Sequence, residues 1–386
     1  MLAVETLLIA GASTNTTTPE WIKDPASFEI SEVCSSQGET PLQIWFRFTR
    51  RELPILRLLI AAGADPAQPV RFYRRTILHF LSALSPKEFN AQSEQMMECL
   101  VQKRGAEVDA LDAFSETPLN GAIGRKNHRA MGILLAAKAD PNGVRRRSCF
   151  PGPLLHAVKK KDPLAVRLLL QAKADPNGGD PKVGKPLVYA ASISNCEIVE
   201  ALLSAGADPS AYTENHKNWP TALHAALSRP YRYNFSKRTI QLLLDAGADP
   251  NSRNWDGKTP LHLASAYGSV DTIRLLLASG ADVNALSNYG ESPIFFAFKG
   301  PTFSFQQGWM IEAVINEFLD AGADVTIKNT LGKTVLDYAF QWIETGLPQY
   351  LDELKSGYEI LVHAWEMRML GESKLGWTER QFPLKR

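Results

Sequence analysis

The chain has little of what marks most specialised functions. Cysteine is scarce: Cys34, Cys99, Cys149 and Cys196 are scattered and form no CxxC pair. That argues against a zinc site or a disulfide framework and fits a reducing compartment, cytoplasm or nucleus. Charge of one sign is missing too, because 42 basic residues meet 41 acidic ones for a formal net charge of +1. A nucleic-acid binder normally shows a clear basic excess. No apolar run reaches the ~18 residues of a membrane-spanning helix, and the most apolar stretch, residues 53–64, is broken by Arg57. The opening MLAVETLLIAGAST lacks a basic region and carries Glu5, so it reads as a helix rather than a signal peptide. P-loop, GxGxxG, GxSxG and HExxH motifs do not occur, so no enzyme, cofactor or metal site is expected.

What is present is a folded composition, 45% hydrophobic and 22% charged, which excludes a mostly disordered chain. A length of 386 residues would by itself predict two or three domains. An internal repeat overrides that prior. A Leu-rich triplet followed by Gly-Ala-Asp-Pro or Gly-Ala-Asp-Val recurs, as in LLIAAGADP (58–66), LLSAGADP (202–209), LLLDAGADP (242–250), LLLASGADV (275–283) and FLDAGADV (318–325). Variants occur at 7–14, 100–108, 134–141 and 168–176. The residue before each Ala falls at 11, 63, 105, 138, 173, 206, 247, 280 and 322, which gives a base unit of 33 with surplus residues in some units. About 12 residues after each anchor comes a second phrase, clearest as GKTPLHLA at 257–264.

The second phrase has a physical reading. Thr259 is a good helix N-cap, and Pro260 suits the first helical position, where its missing N–H costs nothing. Leu261 points inward, and small Ala264 lets neighbouring helices approach. Leu275–Leu277 open the apolar face of a second helix, which Gly280 ends in the left-handed conformation. Lys138 and Lys173 take the place of that glycine, at a cost of ~1 kcal/mol each if the conformation is kept. The recurrent Asp (65, 140, 175, 208, 249, 282, 324) is expected to organise its turn's N–H groups.

The 33-residue unit with T-P-L-H-x-A resembles the ankyrin repeat over roughly residues 1–345. The resemblance implies an all-α solenoid of helix–turn–helix pairs with protruding β-turn fingers. We expect an N-terminal half repeat at 1–14, a Ser/Thr-rich loop at 15–37 and eight repeats plus the start of a degenerate ninth over 38–345. A C-terminal capping helix at 346–371 and a loose tail at 372–386 come after them. The chain would thus start in mid-repeat, which suits a fragment of a larger protein or a loop folded back over the first helix. By the same resemblance His79, His224 and His262 are structural, tying adjacent turns together. His156 stands one place beyond the motif position, which Leu155 holds, and is not given that role.

The resemblance also implies a concave groove, lined by fingers and first helices, that binds protein partners. Near the fingertips lie Phe114, Phe150, Trp219, Trp255 and Tyr289. Exposed large aromatics there are candidate contacts, or else they pack on neighbouring turns. Arg145, Arg146 and Arg147 occupy one finger, and Arg125, Lys126 and Lys159–Lys161 end the first helices of neighbouring repeats. An acidic partner could be steered to this column, although cations also favour helix C-termini for dipole reasons. Phe295, Phe296, Phe298, Phe303, Phe305 and Trp309 form either a mini-core under an insertion or an apolar partner patch. The reading is a non-enzymatic protein-binding scaffold. Its alternatives are an adaptor recruiting a substrate to a larger complex such as a ubiquitin ligase, and the repeat fragment of a larger ankyrin protein.

Overall fold

The computed structural model describes residues 56, 59–60, 64–67, 69, 73–102, 106–143, 152–179, 184–213, 220–228, 236–267, 269–299, 311–345 and 351–370. The half repeat at 1–14, the 15–37 segment and the 372–386 tail lie outside them. The chain divides into two compact units, residues 1–180 and 181–386, and each is built from pairs of short antiparallel helices.

In the first unit the pairs are α1 (Ile77–Ser82) with α2 (Ala91–Gln102), α3 (Pro118–Arg125) with α4 (His128–Ala136), and α5 (Pro153–Lys159) with α6 (Pro163–Gln171). First helices pack on first helices, α1 on α3 on α5, and second on second, α2 on α4 on α6. The second unit continues the scheme with α7 (Pro186–Ser192) and α8 (Cys196–Ser204), α9 (Ala222–Leu227) and α10 (Lys237–Asp245), and α11 (Pro260–Ala266) and α12 (Val270–Ala278). A 3₁₀ segment (Pro293–Ala297), α13 (Ile311–Asp320), α14 (Val335–Thr345) and α15 (Leu351–Met369) complete it, with α15 packed against both α13 and α14.

Local chemistry sets each boundary. The motif threonines stand at N-caps, and Thr117 accepts from Asn120 N–H at 3.3 Å. Thr259 and His262 form a reciprocal capping box, and proline fills the first position of α3, α5, α7 and α11. Second helices are capped by Asn127, Asp162, Asn195 and Ser236, each accepting an N–H three residues on. This satisfies orphan donors that would otherwise cost ~1 kcal/mol per helix.

First helices are buried nearly all round, between their own partner and their neighbours; in α11 only Leu263 is not. Second helices bury one narrow stripe, such as Thr272, Ile273 and Leu276 in α12. This corrects the expectation for the Leu triplet. Only Leu276 of Leu275–Leu277 is fully buried, because three consecutive helical residues fan over ~200° of the cylinder. The positions one turn earlier complete the face.

The repeat at Ser292 departs from the others. Its first helix is a 3₁₀ turn, with Phe295 N–H bonded to Ser292 O at 3.0 Å and Phe298 N–H to Phe295 O at 3.2 Å. Phe295 occupies the histidine's place, so the ring nitrogen that braces the first turn at Thr76, Thr221 and Thr259 is missing, and Ser292 Oγ is buried without a partner. Phe295 and Phe298 are fully buried and Phe296 nearly so. Phe295 meets Tyr338 edge-on at 5.7 Å, and Phe296 meets His262 at 5.2 Å. These three are therefore core, not a partner patch. Phe303, Phe305 and Trp309 lie outside the described residues.

The second helices end in a Schellman pattern. Gly280 N–H bonds Leu277 O at 3.0 Å and Ala281 N–H bonds Leu276 O at 3.0 Å, with Gly280 at φ 87°. Lys138 and Lys173 keep the same bonds and the same conformation, at φ 65° and 69°. A Cβ on Gly280 would meet nothing within 4 Å, so conformation alone selects glycine there. We expect Gly280→Ala to destabilise the protein by ~1 kcal/mol and Lys173→Gly to stabilise it by roughly 0.5–1 kcal/mol, measured by urea unfolding.

Candidate functional site

The finger turns are assembled by a ladder of side-chain to backbone bonds. Each recurrent Asp accepts the N–H two residues on, as in Asp140 with Asn142, Asp249 with Asn251 and Asp282 with Asn284, at 2.8–2.9 Å. At Asn142, Asn251 and Asn284 the side-chain oxygen in turn accepts the Asp N–H of the next repeat. Asn142 takes Asp175 at 2.7 Å in the first unit. Asn251 takes Asp282 at 2.7 Å and Asn284 takes Asp324 at 2.8 Å in the second. The Asp row thus has the structural role expected of it.

At the tips a backbone bond repeats between neighbouring fingers. Ala113 N–H donates to Tyr73 O at 2.8 Å in the first unit; Asn288 donates to Asp256 O and Thr330 to Tyr289 O, both at 2.9 Å, in the second. In every case the acceptor stands three residues before the motif Thr or Ser and the donor four before. The residue two before is left-handed: Arg74, Ser115, Gly257, Gly290 and Gly332. At Gly257 a Cβ would also lie 2.7 Å from Asn288 N, so both space and conformation require glycine.

This register leaves large apolar side chains outward on neighbouring fingers. In the second unit Trp255 is 54% exposed, Tyr289 55% and Leu331 74%. In the first, Phe114 is 51% exposed and its ring stacks on that of Tyr73, centroids 6.1 Å apart. Arg75 lies 6.0 Å over the Phe114 ring and bonds Asp112 at 3.1 Å, which pins the pair from beneath.

The finger bases are fixed by the motif histidines. Thr76 N–H donates to His79 Nδ1 at 3.1 Å and Thr259 N–H to His262 Nδ1 at 3.0 Å. An Nδ1 that accepts requires the proton on Nε2, which donates to Glu116 O and Glu291 O, each at 3.0 Å. His224 Nε2 reaches Lys258 O at 3.0 Å in the same way. Each carbonyl belongs to the residue just before the next repeat's first N-cap. One neutral ring therefore joins two repeats.

A family model described as ankyrin repeats (3 copies) matches residues 119–213, 154–254, 187–287 and 223–329, together more than half of the chain. The chain belongs to the ankyrin-repeat family. It is similar to Ankyrin repeat and SOCS box protein 5 of Mus musculus, 32% identical over 124 residues, which is 32% of this chain and 35% of that protein. It is 40% identical over 85 residues to Ankyrin repeat and SOCS box protein 11 of Danio rerio, covering 22% of this chain and 26% of the relative. E3 ubiquitin-protein ligase KEG of Arabidopsis thaliana is 39% identical over 93 residues, 22% of this chain and 5% of the ligase. The matched segments span about a third or less of each relative's length.

Against the ankyrin-repeat frame, Phe114, Trp255 and Tyr289 stand on fingers with exposed rings. His79, His224, His262, Thr259 and Gly280 stand in the motif's structural places. Arg145, Arg146, Arg147, Phe150 and Trp219 lie outside the described residues. Sequence reasoning missed Tyr73 and Leu331. A signal was available, since both stand three residues before the motif Thr, as Phe114 does. The two positions three and four before the motif residue, the latter held by Trp255, rather than aromatic character, mark the outward places. His156 has no motif role: Leu155 is buried in its place and His156 Nδ1 is buried without a partner. Among the described residues no cluster of His, Cys, Asp and Glu could hold a metal, and no helix is long and apolar enough to cross a membrane.

Burial holds His224 and His262 at about 4, against the opposing pull of their carbonyl bonds, and lowers His79 as well. The folded state withholds protons that the unfolded chain takes up near pH 6.5. Stability is therefore intact above that pH and is lost as pH falls towards 4, by roughly 2 kcal/mol per such histidine at pH 5. We expect the unfolding midpoint in urea to fall steeply between pH 6.5 and 4.5. His262→Gln should be less stable at pH 7 but show a shallower acid slope.

Proposed function

We propose that this ankyrin-repeat chain is a non-enzymatic scaffold that recognises a protein partner through its finger row. The observation that carries this is the outward set Trp255, Tyr289 and Leu331, held in fixed register by finger-to-finger backbone bonds. Large side chains on a rigid support lose little entropy on binding, and Trp and Tyr are among the residue types that dominate interfaces. The stacked Tyr73–Phe114 pair offers a second, smaller anchor in the first unit. The scattered cysteines support a cytoplasmic or nuclear setting.

The relatives favour a second reading, an adaptor that brings a bound substrate to a ubiquitin ligase, since two carry a SOCS box in their names and the third is named a ligase. Under it the fingers hold the substrate and the ligase contact lies elsewhere on the chain.

Both readings meet one experiment: affinity capture with quantitative mass spectrometry, comparing wild type with Trp255→Ala/Tyr289→Ala/Leu331→Ala. Each exposed substitution should change stability by less than ~0.5 kcal/mol, while loss of two or three anchors should lower partner recovery at least about tenfold. Undiminished recovery of every partner by the folded variant would sink the fingertip reading. Ligase subunits retained by the variant while another partner is lost would support the adaptor reading.

A further inference from the structure

The opposite ends of the first helices carry a feature the finger reading does not use. α3 and α5 pack side by side in the first unit, and their C-terminal ends hold Arg125, Lys126, Lys159, Lys160 and Lys161, all exposed. Lys126 N–H closes on Ile123 O at 3.1 Å and Lys161 N–H on Val158 O at 2.9 Å, so the two lysines occupy equivalent places in successive repeats. None of the five is in an ion pair among the described residues, whereas Arg75, Arg129, Arg274 and Arg368 all are. Of the nearby carboxylates, Asp162 is engaged by the Ala165 N–H at the start of α6 and by His128 at 2.7 Å, and Glu116, which feels the Lys160 charge, pairs with Arg75 at 3.8 Å.

Helix chemistry does not account for the cluster. A cation at a helix C-terminus gains 0.3–1 kcal/mol from the dipole, yet α7 and α11 end at Ser192 and Ala266 without one. Two of the five also sit where a lysine is disfavoured: Lys126 is at φ 57° and Lys161 at φ 53°. Glycine would relieve that strain and remove the mutual repulsion. His156, half-buried beneath, is held at about 4 by burial and then by Lys160 and Lys159, so it adds no charge of its own.

We propose that the ends of α3 and α5 form a docking surface for an acidic, extended polypeptide segment. Neighbouring helices pack about 8–10 Å apart, and an extended chain advances about 3.3 Å per residue. In a polyproline II segment, with three residues per turn and ~3.1 Å rise, carboxylates three residues apart share one face about 9 Å apart and meet equivalent cations of the two repeats. A duplex nucleic acid fits less well, because the chain as a whole carries only +1 and supplies no wider basic field. The surface is independent of the fingers, which precede the N-termini of these same helices.

The test is fluorescence anisotropy of the full chain with a fluorescein-labelled peptide of four Glu-Gly-Gly units, at 50 and 300 mM salt. Wild type should bind, and Lys126→Glu/Lys160→Glu/Lys161→Glu should weaken binding about tenfold or more, with circular dichroism showing both folded. A charge-matched control in the second unit, Lys237→Glu/Arg238→Glu/Lys328→Glu, should bind as wild type does. Equal loss in the control would reduce the effect to net charge and overturn the proposal, as would no binding by wild type at 50 mM salt. Tighter binding of a DNA duplex than of the peptide would also overturn it. The Trp255→Ala/Tyr289→Ala/Leu331→Ala variant should bind the peptide normally, so failure here and failure of the fingertip reading are separable.

Discussion

In three repeats, those at Thr76, Thr221 and Thr259, an imidazole acts as a cross-strut. Its Nδ1 accepts from the N-cap of its own helix, and its Nε2–H donates to the backbone carbonyl that leads into the next helix. The Nδ1 acceptor bond demands the neutral ring, and burial enforces that demand against the carbonyl bond, which favours the charged form. Because the acceptor carbonyl sits at the base of the neighbouring finger, the same ring that caps a helix also sets where the next finger begins. The Asp–Asn ladder and the tip-to-tip backbone bonds then carry that registration outward. Exposed side chains at the tips are thus held by structure several bonds deep.

Like the repeats at Thr117, Gly152 and Lys185, the repeat at Ser292 lacks the strut, and there aromatic rings take its place. Phe295 fills the volume but offers no acceptor, the first helix tightens to 3₁₀, and the interface is carried instead by aromatic packing and an ion pair between buried Glu291 and exposed Lys299. Glu291, whose main-chain oxygen receives His262, has its side chain buried against the Lys299 ammonium, which lies 4.4 Å over the Tyr338 ring. Hydrogen bonding there has given way to packing, which fixes position less sharply but buries more apolar surface.

Much of this was legible in the sequence because it is local chemistry. Thr259 before Pro260 announces a helix start, and Gly280 after an apolar run announces its end. A period of 33 makes each instance vouch for the others. Even the left-handed lysines 138 and 173 could be read from alignment to their glycine counterparts. What escaped was orientation. The Leu275–Leu277 triplet looks uniformly apolar, yet only its centre faces the core, and Leu331 looks like any core leucine until its finger is placed.

The sequence by itself determined the repeat, the helix ends and the structural place of the motif residues, since each depends on bonds within a few residues or one period. Tertiary structure decided which side chains remained in water. Exposure depends on what the neighbouring repeat covers, and that is set by the registration of fingers contributed by residues some 30–40 positions apart. The same holds for the cations of α3 and α5, which are ordinary helix-end lysines in the sequence and become one surface only when the two helices lie side by side.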